Sequence, residues 1–173
     1  MLRSVGVNVL GIKTFLKKNL RIFAQSAGEN LNEFTIINLL LGFQNQFIMT
    51  ENEISYVIRG AIFNVFNAFG PGLFESVYVA ALIKSIQNEG LKAIKEVPVP
   101  VYFEGEKLEV GFRLDLLVQD KVIIEVKSVE HLAEVHHKQV LTYLKLTDLK
   151  LAILVNFNEE RITDGIYRKV NGL

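Results

Sequence analysis

Cysteine is absent from this sequence of 173 residues, and histidine occurs only three times, at positions 131, 136 and 137. Without cysteine, the chain cannot form a disulfide framework, a thiolate zinc site or a cysteine nucleophile. With so few histidines, any bound metal would be held mainly by carboxylates. The 19 basic and 19 acidic residues cancel. This balance excludes a strongly basic protein that coats nucleic acid, but it permits a local basic groove.

Several catalytic motifs are also missing. The chain has no H-E-x-x-H, no G-x-x-x-x-G-K-[ST] and no G-x-S-x-G, so zinc-protease, P-loop and nucleophile-elbow chemistries have no support. The apolar run at residues 34–43 is far shorter than the ~20 residues that cross a bilayer. We therefore expect a cytoplasmic protein that does not enter the membrane. Its length and its hydrophobic content of 50% suit one compact domain.

The zero net charge conceals two segments of different character. Residues 1–48 carry five bases and two acids, a net of +3, whereas residues 49–173 carry fourteen bases and seventeen acids, a net of −3. Thr50-Glu51-Asn52-Glu53 has the form of a capping box, which marks the start of a helix. We predict a domain over residues 49–173, preceded by a leader or non-core extension. That extension is a dispensable leader before a true start at Met49, an extra helix packed on the domain, or a targeting signal.

Periodicity predicts an α/β protein, with a mixed α+β sheet flanked by helices in the order αα-βββ-α-β. Pro98 and Pro100 cannot donate to a strand ladder, so their strand should lie at an edge or carry a bulge. The apolar run at 150–157 is typical of a buried central strand. The predicted helices are 50–69, 73–88 and 130–146, and the predicted strands are 97–103, 108–118, 122–127 and 150–157.

Two carboxylates and a lysine are the main candidates for chemistry. If residues 119–121 form a three-residue turn, residues 118 and 122 pair, and Asp115 falls opposite Glu125 with Cβ atoms ~5 Å apart. A two-residue turn would place them on opposite faces. Two such carboxylates repel one another, and Mg²⁺ would relieve the repulsion. Lys127 would orient or deprotonate the attacking water, or neutralise charge on phosphorus. The competing interpretation is a surface ion cluster.

Glu75 is a third acidic candidate. It is the only acid between Leu73 and Asn88, in a helix that is apolar nearly all round and is therefore predicted to be buried. Its first-turn position alternatively serves only to complement the helix dipole. Tyr78, one turn later, either hydrogen-bonds to the same site or simply packs.

The predicted helix 130–146 carries Gln139 and Tyr143 four residues apart, on a stripe with Leu132 and His136. This half-apolar stripe is either a helix margin near solvent or a pair of polar tips aimed at a phosphate or the attacking water. His136 is expected to pack or cap rather than bind a metal.

Six segments follow one another in an order that is specific. They are Gly70-Pro71-Gly72-Leu73-Phe74-Glu75-Ser76-Val77-Tyr78, Val97-Pro98-Val99, Gly111-Phe112-Arg113-Leu114-Asp115-Leu116-Leu117-Val118, Ile124-Glu125-Val126-Lys127, Gln139-Val140-Leu141-Thr142-Tyr143 and Asn156-Phe157-Asn158. Together they resemble the signature of the GxxExxY family, which is similar to the PD-(D/E)XK nuclease superfamily. The resemblance covers about Thr50 to Tyr167, and a leucine, Leu114, stands where the superfamily's motif has proline before Asp115.

The resemblance implies a restriction-endonuclease-like αβββαβ core with flanking helices. It also implies a metal site at Asp115 and Glu125, a catalytic Lys127, and Glu75 as a further ligand or water orienter. Gln139 and Tyr143 look like a Q-x-x-x-Y motif. We expect a nuclease dependent on Mg²⁺ or Mn²⁺ that acts on nucleic acid, DNA more than RNA. The alternative is a catalytically silent protein that keeps the fold as a nucleic-acid or protein binding module.

Overall fold

The computed structural model describes residues 49–173, and every structural statement below concerns that part of the chain. The extension predicted for residues 1–48 lies outside the described residues, so its boundary at Met49 stays a prediction. The helices are α1 (Glu51–Phe69), α2 (Glu75–Asn88) and α3 (Glu134–Thr147), with a short 3-10 helix at Ile162–Gly165. The strands are β1 (Ala93–Phe103), β2 (Glu106–Val118), β3 (Val122–Lys127), β4 (Leu151–Asn156) and β5 (Ile166–Val170).

One five-stranded mixed sheet organises these elements, in the strand order β1-β2-β3-β4-β5. Strands β3 and β4 run parallel and are joined by α3, whereas the other neighbouring strands are antiparallel. The run α2-β1-β2-β3-α3-β4 is the expected αβββαβ core, with α1 and β5 added at its ends. The predicted fold class is therefore confirmed.

Strand β1 lies at the edge of the sheet, as its two prolines predict, and its pairing with β2 contains an irregularity. Pro98 pairs with Arg113 and Pro100 with Gly111, but the next pair joins Tyr102 to Lys107. Strand β2 therefore advances four residues while β1 advances two, which makes a bulge in β2. A Cβ at Gly111 would lie 2.6 Å from the carbonyl oxygen of Val99, so only glycine allows this close approach.

The core forms where α3 covers the middle of the sheet. All six residues of β4 are buried between β3 and β5, which confirms the central strand predicted from the apolar run. Only Lys127 of β3 is not fully buried. One cluster joins the sheet to α3, namely Val99, Leu114, Ile123, Val140, Tyr143, Leu144, Ala152 and Leu154.

Two helices differ from their predicted form. Helix α3 begins at Glu134 rather than near residue 130, because the backbone N–H of Ala133 donates to His136 Nδ1 at 3.1 Å and caps the helix there. The expectation that α2 is buried all round is wrong. It buries one face, formed by Tyr78, Leu82 and Ile86, while Phe74 and Val77 beside it are exposed.

Candidate active site

The turn between β2 and β3 sets the register of the site. Val118 pairs with Val122 and Leu116 with Ile124, so residues 119–121 form the predicted three-residue turn. Asp115 comes next along β2, and its Oδ2 accepts a hydrogen bond of 2.8 Å from the backbone N–H of Val126. This bond places the Asp115 carboxylate beside Glu125, as the turn length predicts.

Glu125 is a buried carboxylate with only one of its two oxygens satisfied. It is 2% exposed, and its Oε1 accepts a hydrogen bond of 2.7 Å from Lys127 Nζ. Its Oε2 is buried and has no hydrogen-bond partner among the described residues. Buried polar atoms in native proteins are nearly always paired, so this carboxylate oxygen is available to a ligand from outside the described residues.

The pKa values of Glu125, Asp115 and Lys127 reflect how closely these side chains lie together. Burial, reinforced by the negative charge of Asp115, raises the pKa of Glu125 to about 7, against the opposing hydrogen bond from Lys127. Burial also raises the pKa of Asp115, although the Val126 bond opposes it. Burial alone would lower the pKa of Lys127, but the hydrogen bond to Glu125 and the charges of the surrounding acids outweigh it and raise the pKa. The pair of acids is therefore unfavourable in its fully ionised form.

Glu75 reaches the same region from the start of α2. Its Oε1 accepts a hydrogen bond of 3.1 Å from the backbone N–H of Ser128, the residue directly after β3. The charge of Glu75 raises the pKa values of both Asp115 and Glu125, which shows that it lies near them. Ser128 Oγ also donates to the carbonyl oxygen of Leu73 at 2.7 Å. Two hydrogen bonds to one residue thus tie the start of α2 to the end of β3.

Tyr78 packs beneath this connection rather than reaching the carboxylates. Its hydroxyl accepts a hydrogen bond from the Leu73 N–H at 3.1 Å and donates to the carbonyl oxygen of Gly70 at 2.7 Å. Its ring stacks on Phe157, with the centroids 4.2 Å apart and the planes at 8°. Tyr78 therefore fixes the loop that presents Glu75.

Gln139 and Tyr143 meet one another on α3. Gln139 Nε2 donates to the Tyr143 hydroxyl oxygen at 2.6 Å, and Tyr143 is only 3% exposed. Burial, together with the charge of Glu125, raises the pKa of Tyr143. The ring of Phe112 from β2 meets the Tyr143 ring edge-on, 5.4 Å between centroids. Gln139 and Tyr143 thus lie at the margin of the carboxylate cluster, and their chemical role stays a prediction.

Asn156 and Ser128 are site-forming residues whose contacts sequence reasoning missed. Asn156 is fully buried at the end of β4, where its Oδ1 accepts from the Val129 N–H at 3.0 Å and its Nδ2 donates to the Val129 carbonyl oxygen at 2.9 Å. The Phe157 N–H also donates to the Lys127 carbonyl oxygen at 2.8 Å. These bonds hold the chain that carries Lys127 and Ser128. The sequence signal for Asn156 was an amide residue at the end of an otherwise apolar run.

The donor set suits a hard divalent cation held by few protein ligands. Within residues 49–173, no three His, Cys, Asp or Glu side chains are spaced to hold a metal ion as a group. Asp115 and Glu125 fit as a ligand pair, and a role for Glu75 as a further ligand stays a prediction. Mg²⁺ commonly takes one or two carboxylates and completes its shell with water and substrate phosphate. The orphaned Glu125 Oε2 is the oxygen that such an ion would satisfy.

Comparison with known proteins gives one match. A family model for the PD-(D/E)XK nuclease superfamily matches residues 52–169, more than half of the chain, and this range includes all of the candidate site residues. No curated protein and no solved structure matches the sequence. No helix within the described range is long and apolar enough to cross a membrane.

Proposed function

The chain belongs to the PD-(D/E)XK nuclease superfamily, and we propose that it is a Mg²⁺-dependent nuclease that hydrolyses phosphodiester bonds of DNA or RNA with metal-activated water. Superfamily membership indicates nuclease activity in general and a divalent metal as the typical cofactor. The metal identity, with Mn²⁺ as the alternative, and the preference for DNA are part of the proposal. So are a cytoplasmic location, which suits a nucleic-acid substrate, and membership of the GxxExxY family, which rests on the segment from Gly70 to Tyr78.

The observation that carries the proposal is the orphaned oxygen of Glu125. A purely structural ion cluster would pair every buried oxygen, because a buried unpaired charge is costly. Here Lys127 satisfies one oxygen of Glu125 only, while the neighbouring Asp115 adds a second negative charge. A divalent cation bound by Asp115 and Glu125 would neutralise both carboxylates and take the free oxygen.

When bound, that cation would supply Lewis-acid chemistry, activating a water and neutralising charge on the scissile phosphate. The protein's own residues would position the reacting groups. Lys127 Nζ, held by Glu125 Oε1, places a positive charge where negative charge develops on phosphorus. Glu75, held by Ser128, would serve as a further acidic ligand or orient the attacking water. Gln139 and Tyr143 would contact the phosphate from α3.

The net charge of −3 on residues 49–173 favours a second candidate, a non-cleaving binding module that keeps the fold. Tracking of phosphates normally requires clustered lysine and arginine. Against this candidate, the set Asp115, Glu125 and Lys127 is intact and assembled. In a binding module, two neighbouring buried carboxylates would cost stability without serving a reaction.

A cleavage assay separates the two candidates. Full-length protein is incubated with single- and double-stranded DNA and RNA in the presence of Mg²⁺ or Mn²⁺, beside Lys127→Ala and, as a matched control, the exposed Lys150→Ala. The nuclease proposal predicts metal-dependent cleavage by wild type and Lys150→Ala, and none by Lys127→Ala. Binding without cleavage by all three proteins would support the binding module, and cleavage that survives Lys127→Ala would remove this site from the reaction.

We also propose that residues 49–173 form the nuclease domain and that residues 1–48 are not part of it. The change of net charge across Met49 and the start of α1 at Glu51 support this division. The superfamily match begins at residue 52, which suits the same boundary.

A further inference from the structure

The polar stripe on α3 contains a third hydrogen-bonding side chain, that of His136. It lies three residues before Gln139 and seven before Tyr143, so the three side chains share one side of the helix. The imidazole is half-buried, as is the side chain of Gln139. The reaction proposed above uses Gln139 and Tyr143, but it leaves this imidazole without a function.

Contacts of two other residues on α3 show which way the stripe faces. The ring of Tyr143 meets that of Phe112 from β2 edge-on, whereas the ring of His137 packs against Tyr167 from β5 with the centroids 4.9 Å apart. Strands β2 and β5 lie on opposite sides of the β3–β4 pair. One side of α3 therefore faces β2 and the carboxylates, and His136 shares that side with Tyr143, whereas His137 lies on the other side.

The direction of α3 brings His136 level with the end of β3. Strands β3 and β4 are parallel, so the helix that joins them returns antiparallel to β3. Tyr143 belongs with Ile123 to the core cluster. His136 lies roughly 10 Å before Tyr143 along the helix axis, and Lys127 lies roughly 13 Å beyond Ile123 along β3. His136 is therefore placed near the end of β3 that carries Lys127.

A backbone hydrogen bond fixes the protonation state of this imidazole. The N–H of Ala133 donates to His136 Nδ1 at 3.1 Å. A nitrogen that accepts a hydrogen bond carries no proton, so the ring is neutral and its proton lies on Nε2. No residue in the described range accepts a hydrogen bond from Nε2. A protonated Nε2 cannot bind a metal ion, but it can donate to an anionic oxygen.

We propose that His136 binds the substrate, with its Nε2–H donating to an oxygen of a phosphate next to the scissile one. This inference rests on the proposed nuclease function and adds a substrate contact to the same site. Gln139 and Tyr143 hold the scissile phosphate, and His136, nearer the start of α3, holds its neighbour. The contact is made to the backbone of the nucleic acid, so it positions the strand without selecting a base.

Two substitutions separate this contact from the capping role of His136. Position 136 is the N3 residue of α3, where glutamine and glutamate side chains also accept from the N-cap N–H. His136→Gln and His136→Glu therefore both keep the cap, but only glutamate places a negative charge against the phosphate. The control pair is Thr142→Gln and Thr142→Glu, at an exposed position of the same helix. Melting temperatures of the four variants report whether the helix is preserved.

The assay is steady-state cleavage of a DNA oligonucleotide in Mg²⁺, after the bond that wild type cleaves has been mapped. We expect the KM of His136→Glu to exceed that of His136→Gln on the order of tenfold to a hundredfold. The kcat values should be similar, because a contact to a phosphate that does not react is equally strong in substrate and transition state. The two Thr142 variants should have equal KM values.

A second substrate locates the contact. When a neutral methylphosphonate replaces the neighbouring phosphate that His136 binds, the KM of wild type should rise, and the difference between His136→Gln and His136→Glu should disappear. Each of the two neighbouring phosphates is replaced in turn. This measurement needs no substitution in wild type, so it holds even if His136→Glu fails to fold.

Three results would overturn the proposal. One is an equal KM for the two variants at position 136, and another is a difference that survives methylphosphonate at both neighbouring positions. The third is a fall in kcat with KM unchanged, which would place the contact at the scissile phosphate. If wild type cleaves DNA and any of these results is obtained, only the assignment of His136 fails. If wild type cleaves neither DNA nor RNA in Mg²⁺ or Mn²⁺, the nuclease proposal fails together with this inference.

Discussion

The raised pKa of Glu125 predicts that the stability of the metal-free protein falls as pH rises. The folded pKa is about 7, whereas the ordinary value is 4.5. Because the folded value is the higher one, the native state retains a proton that the unfolded state has released between these two pH values. The resulting stabilisation is fully present below pH 4.5 and is lost as pH rises through 7.

The magnitude follows from the two pKa values. With a folded pKa of about 7 and an unfolded pKa of 4.5, Glu125 adds ~2 kcal/mol to the free energy of unfolding at pH 5.5 and almost nothing at pH 8. At roughly 2–4 °C per kcal/mol for a chain of this size, the difference amounts to ~4–8 °C in melting temperature. Replacing Glu125 by Gln removes this titration while nearly preserving the size of the side chain.

The assay is thermal or urea unfolding in EDTA at pH 5.5 and pH 8, for wild type, Glu125→Gln and the exposed control Glu160→Gln. We expect wild type and Glu160→Gln to lose ~2 kcal/mol more than Glu125→Gln between the two pH values. Adding Mg²⁺ at pH 8 should restore stability to wild type but not to Glu125→Gln. Parallel curves for wild type and Glu125→Gln would show that Glu125 is a satisfied member of a structural ion cluster, and would refute the reasoning.

Three further predictions concern the framework around the site. Ser128→Ala removes the hydrogen bond to the Leu73 carbonyl oxygen, and it should lower the cleavage rate about tenfold while costing only ~0.5–1.5 kcal/mol of stability. The control is Ser76→Ala at an exposed position, and equal activity of the two variants would exclude a positioning role for Ser128. Gly111→Ala forces a Cβ against the Val99 carbonyl oxygen and should lower the free energy of unfolding in urea by ~1–3 kcal/mol. Gly60 has open space around it, so Gly60→Ala should be neutral or stabilising, and similar stability changes in the two variants would contradict the close packing of Gly111 on Val99. A chain that starts at Met49 should unfold cooperatively within a few degrees of the full chain, and an insoluble product would show that residues 1–48 belong to the core.

Local pattern was sufficient to predict the sheet and the pairing of the two carboxylates. Three local features predict the turn at 119–121: the alternation of β2, the apolar run of β3 and the turn residues between them. The length of this turn places Asp115 beside Glu125. The prolines of β1 predicted an edge strand for a similarly local reason. Resemblance to known motifs supported the roles that the residue pattern had suggested for Lys127 and for Gln139 with Tyr143.

Contacts between distant segments could not be predicted in the same way. The hydrogen bonds of Ser128 join residues more than 50 positions apart, and those of Asn156 depend on the parallel pairing of β3 with β4. The one-sided burial of α2 depends on which neighbours pack against it, and composition alone does not specify them. The bulge lies in β2, whose alternation is ordinary, and not in the strand that carries the prolines, so the sequence pattern did not locate it.

Direct titration of Mn²⁺ or Mg²⁺ into the metal-free protein, followed by calorimetry, tests the central claim that Asp115 and Glu125 hold a divalent cation. Wild type should bind the metal, and Asp115→Asn and Glu125→Gln should each lose most of that affinity while remaining folded. Lys127→Ala should still bind, because its proposed role is in the reaction rather than in ligation. Equal binding by wild type and both acid variants, or no binding by wild type, would contradict the account.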